Sequence, residues 1–184
     1  MRAGSPASRS RRVARGPALR ILGIDPGLAS VGYGVLEARG SSLRYLGHGC
    51  IVTRKEEEIG KRLLSIFAAV SDLIEDWGPC AAAMESLYFW KNVSSAIPVA
   101  EAKGVIRLAF ARASLPLAEY SPTAIKQAVS GSARSEKAQV QEMVRLLLRL
   151  DEPPRPDHAA DALAAAICRA NHEGPFFGGL ESQK

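Results

Sequence analysis

The pattern of apolar and polar positions divides the first part of the chain into three predicted strands. Residues 20–25 form an apolar run that ends in an acid, and Pro26-Gly27 breaks this run. Residues 30–36 place aromatic and β-branched side chains between glycines, and a third run covers residues 43–52. Because the links between these runs are short, the pattern predicts an antiparallel meander.

The spacing of apolar residues then changes to that of an amphipathic helix. Apolar residues recur at helical spacing over residues 59–77, and Gly78-Pro79 ends the helix. The short apolar strand 81–84 follows and leads directly into the acid Glu85. Two of the predicted strands therefore end in a carboxylate.

The second half of the chain predicts one more strand and four helices. Ser121-Pro122 has the form of an N-cap followed by Pro at the first helical position, and Pro153, Pro154 and Pro156 separate the last two helices. The predicted elements are a helix over 94–113, a strand within 115–120, a helix after Ser121, a helix from a Ser135 cap through Leu150 and a helix over 157–171. This order predicts an α/β fold with a mixed five-stranded sheet and helices on both of its faces.

Positive charge is concentrated at the N-terminus. The formal net charge is +5, but residues 1–20 hold six Arg and no acid, which leaves 18 basic and 19 acidic residues in 21–184. Residues 1–19 are interpreted as a disordered basic extension, residues 20–172 as one folded domain and residues 173–184 as a flexible tail. A nucleic-acid-binding surface on the folded domain must therefore be a local patch.

The cysteines and the apolar runs exclude several classes of protein. Cys50, Cys80 and Cys168 are odd in number and far apart, so neither a disulfide framework nor a zinc cluster is expected. No apolar run is long enough to cross a bilayer, and no apolar segment follows the basic start as in a secretory signal. We therefore expect a cytoplasmic protein without a membrane partner.

Three acids and a histidine occupy positions where one site could form. Asp25 and Glu85 each end an apolar strand, which is where open α/β sheets place their ligand groups. His158 and Asp161 lie one helical turn apart at the start of the last predicted helix. Close carboxylates repel one another, and oxygen ligands favour Mg²⁺ or Mn²⁺ over zinc as the counter-ion. Two such ions can clamp the attacking water and the leaving oxygen of a phosphodiester, which favours a metal-dependent nuclease.

Each of these residues also has a plainer interpretation when it is taken alone. Asp25 is typical of a turn, Glu85 of an exposed strand end, and His158 of a surface or packing histidine. The adjacent acid Asp157 is expected to be the N-cap of the last helix, although it is also an alternative fourth group of the site. Only the combination of the four residues favours a shared function.

Short motifs follow one another in a fixed order between about residues 20 and 172. They are Ile21-Leu22-Gly23-Ile24-Asp25-Pro26-Gly27, Gly32-Tyr33-Gly34-Val35, Gly47-His48-Gly49-Cys50-Ile51, Glu85-Ser86-Leu87-Tyr88, Lys91-Asn92, Ala102-Lys103-Gly104, Glu136-Lys137-x-Gln139-Val140, Met143-Val144 and His158-Ala159-Ala160-Asp161-Ala162-Leu163-Ala164. The ordered set resembles the RuvC family of bacterial Holliday junction resolvases. The opening motif alone is shared by other ribonuclease H-like proteins, whereas the ordered set is specific.

The resemblance implies a ribonuclease H-like fold and a magnesium-dependent endonuclease of recombination and repair that nicks two opposed strands of a four-way DNA junction symmetrically. It implies that Asp25, Glu85 and Asp161 bind the metal, two Mg²⁺ per site with Mn²⁺ as a substitute. His158 matches a fourth position, which is Asp in some members of the family and His in others. The implied partners are junction DNA, a second copy of the chain and the RuvA–RuvB branch-migration complex.

The resemblance also implies DNA contacts outside the acids. Lys126 and Lys137 match basic residues that lie near the phosphates, and Tyr88 matches an aromatic residue that meets bases at the junction centre. The plainer interpretations are a solvated Lys, a Lys at a helix start and a core Tyr. The chain departs from the family in its longer Arg-rich start and in Ala133, where a second glycine is usual.

The helix over 94–113 is a candidate for the dimer interface. Val99, Ile106 and Phe110 could form an apolar face between two copies, because symmetric resolution needs two active sites. The same three residues could instead fill the core of one copy, and the sequence pattern is compatible with both.

Three other functions share parts of the pattern. A nuclease that trims precursor ribosomal RNA shares the first strand motif, but lacks the segment from Lys126 to Lys137 combined with the final motif. A catalytically inactive junction-binding module is disfavoured by the three intact acids. An actin-like ATPase, which also opens with strand, Asp and Gly, normally needs two such halves in a longer chain.

Overall fold

A computed structural model describes residues 18–86 and 93–173, without the side chains of residues 93–95 and 173. The strands are β1 Leu19–Asp25, β2 Ser30–Arg39, β3 Ser42–Val52, β4 Ala81–Glu85 and β5 Leu117–Tyr120. The helices are α1 Ile59–Trp77, α2 Val93–Arg112, α3 Pro122–Ser130, α4 Lys137–Leu148 and α5 Asp157–Glu173. The predicted tail at 173–184 lies outside the described residues except for Glu173, which is the last residue of α5. The predicted extension at 1–19 lies outside them except for its last two residues.

The five strands form one mixed sheet in the order β3-β2-β1-β4-β5. The β1–β2 and β2–β3 pairs are antiparallel, which confirms the predicted meander, whereas β4 is parallel to both β1 and β5. The register pairs Ile24 of β1 with Met84 of β4. Asp25 and Glu85, one residue further along each strand, therefore leave the sheet at the same edge.

Helices cover both faces of the sheet, as predicted. Along β1, Ile21 packs in the cluster that α3, α4 and α5 cover, and Leu22 packs in the cluster that α1 and α2 cover. This alternation follows from the two-residue period of a strand. The sheet therefore lies between a layer of three helices and a layer of two.

Helix α5 lies unusually close to the sheet because glycines face it. A Cβ added at Gly32 would lie 2.0 Å from the backbone oxygen of His158, and one at Gly23 would lie 2.0 Å from that of Ala162. The facing residues of α5 are mostly small and buried, from Ala159 onwards. The close approach brings the start of α5 to the sheet edge where β1 and β4 end.

Substituting Gly32 with Ala should therefore displace the start of α5. We expect the free energy of unfolding to fall by about 1–3 kcal/mol, as for other overpacked sites, measured by urea denaturation. Gly104→Ala is the matched control, because a Cβ there meets no neighbouring atom within 4 Å among the described residues. Equal stabilities of the two variants would contradict the close-packing account.

The predicted end of β2 and the predicted start of α4 were wrong. Strand β2 continues to Arg39, beyond the predicted end. The N-cap of α4 is Glu136 rather than Ser135, because the Gln139 side chain accepts a hydrogen bond from the Glu136 backbone N–H at 2.9 Å. Ser135 instead accepts a hydrogen bond from Ser130 at 2.8 Å.

Helix α4 ends at Leu148, two residues before the predicted end. The next residue, Arg149, adopts a left-handed conformation with φ 56° and caps the helix.

Among the helices that the structure describes, none is long and apolar enough to cross a membrane. The three cysteines are free, in agreement with the predicted absence of a disulfide framework.

Candidate active site

Three elements bring the predicted acids to one edge of the sheet. Asp25 ends β1 and Glu85 ends β4, and these strands are hydrogen-bonded parallel neighbours. Helix α5 supplies His158 and Asp161 from its first turns. We call Asp25, Glu85 and Asp161 the acid cluster. Its convergence was predicted from the positions of the acids at strand ends and at a helix start.

The imidazole of His158 contacts the acid cluster directly. Its Nδ1 atom lies 2.6 Å from Oδ2 of Asp25, although the two residues are 133 positions apart in the chain. Half of the His158 side chain is exposed, whereas Asp25 is mostly covered. His158 therefore lies between the carboxylate of β1 and the solvent, where a substrate would arrive.

The acid cluster carries negative charge that its surroundings do not fully neutralise. Burial, followed by the charges of Asp25 and Asp161, raises the pKa of the Glu85 carboxyl to about 7. The ammonium groups of Lys103 and Lys126 act in the opposite direction but do not cancel the rise. Burial also raises the pKa of Asp25 above its usual value. Such a cluster favours a bound cation, because each carboxylate must otherwise take up a proton or remain repelled.

Lys137 already supplies a positive charge to one side of the cluster. Its Nζ atom lies 3.1 Å from Oδ2 of Asp157 and 3.1 Å from Oδ2 of Asp161. Burial lowers the pKa of Lys137, but the hydrogen bonds and charges of these two acids outweigh burial and raise it. Lys137 is the first residue of α4, so this helix start lies against the start of α5.

Asp157 does not act as the predicted N-cap. Helix α5 begins at Asp157, and the carbonyl oxygen of Pro156 accepts the N–H of Ala159 at 2.9 Å. The Asp157 carboxylate turns to α4 instead, where the Gln141 side chain donates to it at 3.1 Å in addition to the contact with Lys137. Asp157 therefore contacts α4 through both Lys137 and Gln141.

The donor set fits a hard divalent cation. Within 18–86 and 93–173, no three His, Cys, Asp or Glu side chains form a preformed metal cage. Two of the acids have other partners, since His158 lies against Asp25 and Lys137 lies against Asp161. Carboxylate oxygens are the ligands that Mg²⁺ and Mn²⁺ prefer, and burial together with the charges of Asp25 and Asp161 raises the pKa of the Glu85 carboxyl.

Two predicted DNA-binding residues can be placed and one cannot. Lys126 lies on α3, close enough to Glu85 to act on its pKa, and Lys137 lies on α4. The two lysines thus approach the acid cluster from different helices. Tyr88 lies outside the described residues, so its predicted role stays a prediction.

Sequence reasoning gave no role to Lys103, which the structure places beside the cluster. Its side chain on α2 is buried, and its Nζ donates to the backbone oxygen of Glu85 at 2.9 Å. The sequence contains a signal for it, because Lys103 is the central residue of the motif Ala102-Lys103-Gly104.

The three candidate interface residues of α2 were compatible either with a dimer interface or with the core of one copy. Ile106 and Phe110 are buried in the core beside α1, so they belong to one copy of the chain. Val99 is half-buried. Among the described side chains of α2, the large apolar ones that are exposed are Ile97 and Leu108.

Comparison with known proteins identifies the family. The sequence profile described as Crossover junction endodeoxyribonuclease RuvC matches residues 21–169. The protein of that name from Petrotoga mobilis is 50% identical over 156 residues, which cover 85% of this chain and 96% of the relative. The solved structure of Thermus thermophilus RuvC has a TM-score of 0.78 at 34% identity and covers 84% of this chain and 95% of that chain.

Further structures agree with the fold. The T. thermophilus protein in complex with a Holliday junction substrate has a TM-score of 0.77 at 34% identity, over 84% of this chain and 94% of that chain. The yeast mitochondrial Holliday junction resolvase Ydc2 shares the fold at 15% identity, with a TM-score of 0.62 over 86% of this chain and 82% of that chain. These matches confirm the predicted ribonuclease H-like α/β fold and the resemblance drawn from the motifs. The chain therefore belongs to the RuvC family of crossover junction endodeoxyribonucleases.

Proposed function

We propose that this chain is an endonuclease that resolves four-way DNA junctions by paired symmetric nicks in homologous recombination and DNA repair. The observation that carries the proposal is the acid cluster, in which three carboxylates from β1, β4 and α5 meet at one sheet edge in a chain of this family. The relatives that match most of the chain bear the name of this activity.

The acid cluster is the metal-binding core of this proposal. Asp25, Glu85 and Asp161 hold two divalent cations, Mg²⁺ with Mn²⁺ as a substitute. Cations held by these three carboxylates would stabilise the charged phosphodiester and lower the pKa of the attacking water. The elevated pKa of Glu85 supports this role, because a cation would relieve the repulsion that Asp25 and Asp161 exert on it.

The remaining polar residues of the site act on the substrate. His158, exposed on one side and bonded to Asp25 on the other, orients the attacking water or the scissile phosphate. Lys137 and Lys126 bring positive charge to the phosphate from α4 and α3. Asp157 keeps Lys137 at the site through the contact at 3.1 Å. Tyr88 is proposed to stack on bases at the junction centre.

Substrate choice tests the proposal against its nearest alternative. Equal amounts of a synthetic four-way DNA junction and a structured RNA are incubated with the protein and Mg²⁺, and both cleavage rates are measured. We expect the junction to be cut and the RNA to stay intact. Cleavage of the RNA with an intact junction would favour the nuclease that trims precursor ribosomal RNA.

We propose that the active unit is a homodimer, because two opposed cuts need two sites related by a two-fold axis. Ile97 and Leu108 are 56% and 59% exposed on α2. They lie about three helical turns apart and therefore share one face of the helix. We propose that this face of α2 meets the second copy of the chain.

Introducing a charge on this face should separate the two copies. We expect Leu108→Glu to sediment as a monomer at micromolar concentration and to lose paired nicking, because a buried unpaired carboxylate opposes association. Leu146→Glu on α4, where the side chain is 51% exposed, is the matched control and should stay dimeric. A dimeric Leu108→Glu variant would place the interface elsewhere.

The Arg-rich start is proposed to strengthen general DNA binding without taking part in cleavage. Since β1 begins at Leu19, removal of residues 1–17 leaves the sheet intact. The truncated protein should bind junctions more weakly and with a shallower dependence on salt, because fewer counter-ions are released. Its cleavage rate at saturating protein should match that of the full chain.

A full-length variant with the Arg residues of 1–17 changed to Ser is the control for length. Binding is measured between 50 and 200 mM salt (about the range where such contacts weaken strongly). Loss of cleavage at saturating protein in either variant would make the N-terminal residues part of the site.

By family resemblance, we further propose that the protein works in the cytoplasm with the RuvA–RuvB complex.

A further inference from the structure

Lys103 is a lysine in the interior of the protein. Its side chain is 3% exposed, although it extends from the middle of α2. A buried ammonium group is unfavourable unless partners satisfy it, so the position of the group is defined by those partners. Nζ of Lys103 lies 2.6 Å from Oε2 of Glu119 and 2.9 Å from the backbone oxygen of Glu85.

The partner Glu119 is itself fixed. It lies on β5 opposite Met84, the residue before Glu85 in β4. Its second carboxylate oxygen accepts from Arg107, with Nε at 2.7 Å and Nη2 at 2.5 Å. Both oxygens of Glu119 are therefore held, and the ammonium of Lys103 is oriented from the β5 side.

The other partner of Lys103 is the peptide group that joins Glu85, the last residue of β4, to Ser86. The N–H of Ser86 donates to the oxygen of Tyr120 at 2.8 Å, while the oxygen of Glu85 accepts from Lys103. The peptide plane that follows Glu85 is thus held from both of its sides. Fixing that plane restricts the backbone at Glu85 and so the direction in which its side chain leaves the strand.

We propose that Lys103 is a positioning residue for the metal-binding acid Glu85, and that the carboxylate of Glu119 holds it in place. The inference rests on the proposed function of the acid cluster. Lys103 touches the backbone of Glu85 and does not need to contact the metal or the DNA. Residues that orient metal ligands in this way typically contribute about 10–100-fold to metal affinity or activity.

The test compares Lys103→Met, which keeps the apolar stem, with Lys103→Arg, which keeps the charge and the donors. Arg107→Met is the matched control, since Arg107 lies one turn further along α2 and binds the same Glu119. Mn²⁺ binding to the DNA-free protein is measured by electron paramagnetic resonance. Junction affinity and single-turnover cleavage at saturating Mg²⁺ are measured on the same samples.

We expect Lys103→Met to weaken Mn²⁺ binding by about tenfold or more and to slow cleavage, with junction affinity unchanged. Lys103→Arg should recover most of the Mn²⁺ affinity, and Arg107→Met should stay near wild type. Wild-type Mn²⁺ affinity and cleavage in Lys103→Met would overturn the inference, as would an equal loss in Arg107→Met.

A second variant keeps the test decisive if Lys103→Met does not fold. The double variant Lys103→Met with Glu119→Gln removes both buried charges together, which avoids an unpaired carboxylate. It should fold and still bind Mn²⁺ weakly, and wild-type affinity in it would overturn the inference. The proposed function is tested separately by the wild-type protein. If that protein does not cut junctions in Mg²⁺, the proposed function fails before any Lys103 variant is compared.

Discussion

Asp25→Asn, Glu85→Gln and Asp161→Asn are each expected to abolish junction cleavage while leaving junction binding largely intact. Each change removes a carboxylate oxygen that would hold the metal, and stabilisation worth several kcal/mol corresponds to about a thousandfold or more in rate. Binding rests mainly on phosphate contacts, which these amides keep. Single-turnover cleavage in Mg²⁺ and a gel-shift assay in Ca²⁺ measure the two properties separately.

Asp72→Asn is the control for this set, because Asp72 is an exposed acid on α1. It should cut and bind as the wild type does. A variant of the acid cluster that loses binding and cleavage to the same extent would indicate a folding role. A variant that cuts normally would remove that residue from the metal-binding core.

Stability measurements separate a functional acid from a structural one. The folded-state pKa of Glu85, about 7, lies above its ordinary value of 4.5, so the folded protein holds this proton more tightly than the unfolded chain. Glu85 therefore lowers stability progressively as the pH rises from 4.5 to 7. Without metal, Glu85→Gln should be more stable than wild type by on the order of 2 kcal/mol at pH 8, and the gain should vanish below pH 4.5.

His158→Ala is expected to lose most of the cleavage activity, whereas His158→Asp should retain a substantial part. Nδ1 of His158 lies 2.6 Å from Asp25, so the imidazole is placed to orient water or phosphate next to the acid cluster. Loss of such a positioned group costs about 100-fold or more in rate. The resemblance to the family implies that Asp can stand at this position, and its carboxylate supplies an oxygen ligand. Mn²⁺ should partly rescue His158→Ala, because it accepts altered ligand sets more readily than Mg²⁺.

Asp157→Ala is the companion variant for this test. Asp157 reaches Lys137 and Gln141 rather than Asp25, so its loss should slow cleavage less than the loss of His158. If His158→Ala cuts at the wild-type rate in Mg²⁺, the imidazole has no part in the reaction. Asp157 would then become the better candidate for the fourth group.

The strands and the convergence of the acids could be predicted because each acid has a recognisable position in a local pattern, at the end of an apolar run or at the start of a helix. Asp25 and Glu85 each interrupt a short apolar run, and parallel neighbours bring such ends together. His158 and Asp161 are related by helical spacing alone. What local pattern does not contain is the pairing between distant residues. The contact of His158 with Asp25 and that of Lys137 with Asp161 depend on how α5 and α4 meet the sheet edge.

Helix α2 shows a second limit of local patterns. Apolar spacing cannot separate a buried residue of the helix, such as Phe110, from an exposed one, such as Leu108. Lys103 was missed for a related reason, because a lysine in a helix is most often solvated. Its burial arises from Glu119 on β5, a residue that the α2 sequence does not contain.

One measurement tests the central claim most directly. A synthetic four-way junction, labelled in turn on each of its strands, is incubated with the wild-type protein in Mg²⁺ and in EDTA. The acid cluster, acting in a homodimer, predicts nicks at symmetric positions on two opposed strands in Mg²⁺ and an intact junction in EDTA. Cleavage that persists in EDTA, or a junction left intact in Mg²⁺, would contradict a metal-dependent junction nuclease built on Asp25, Glu85 and Asp161.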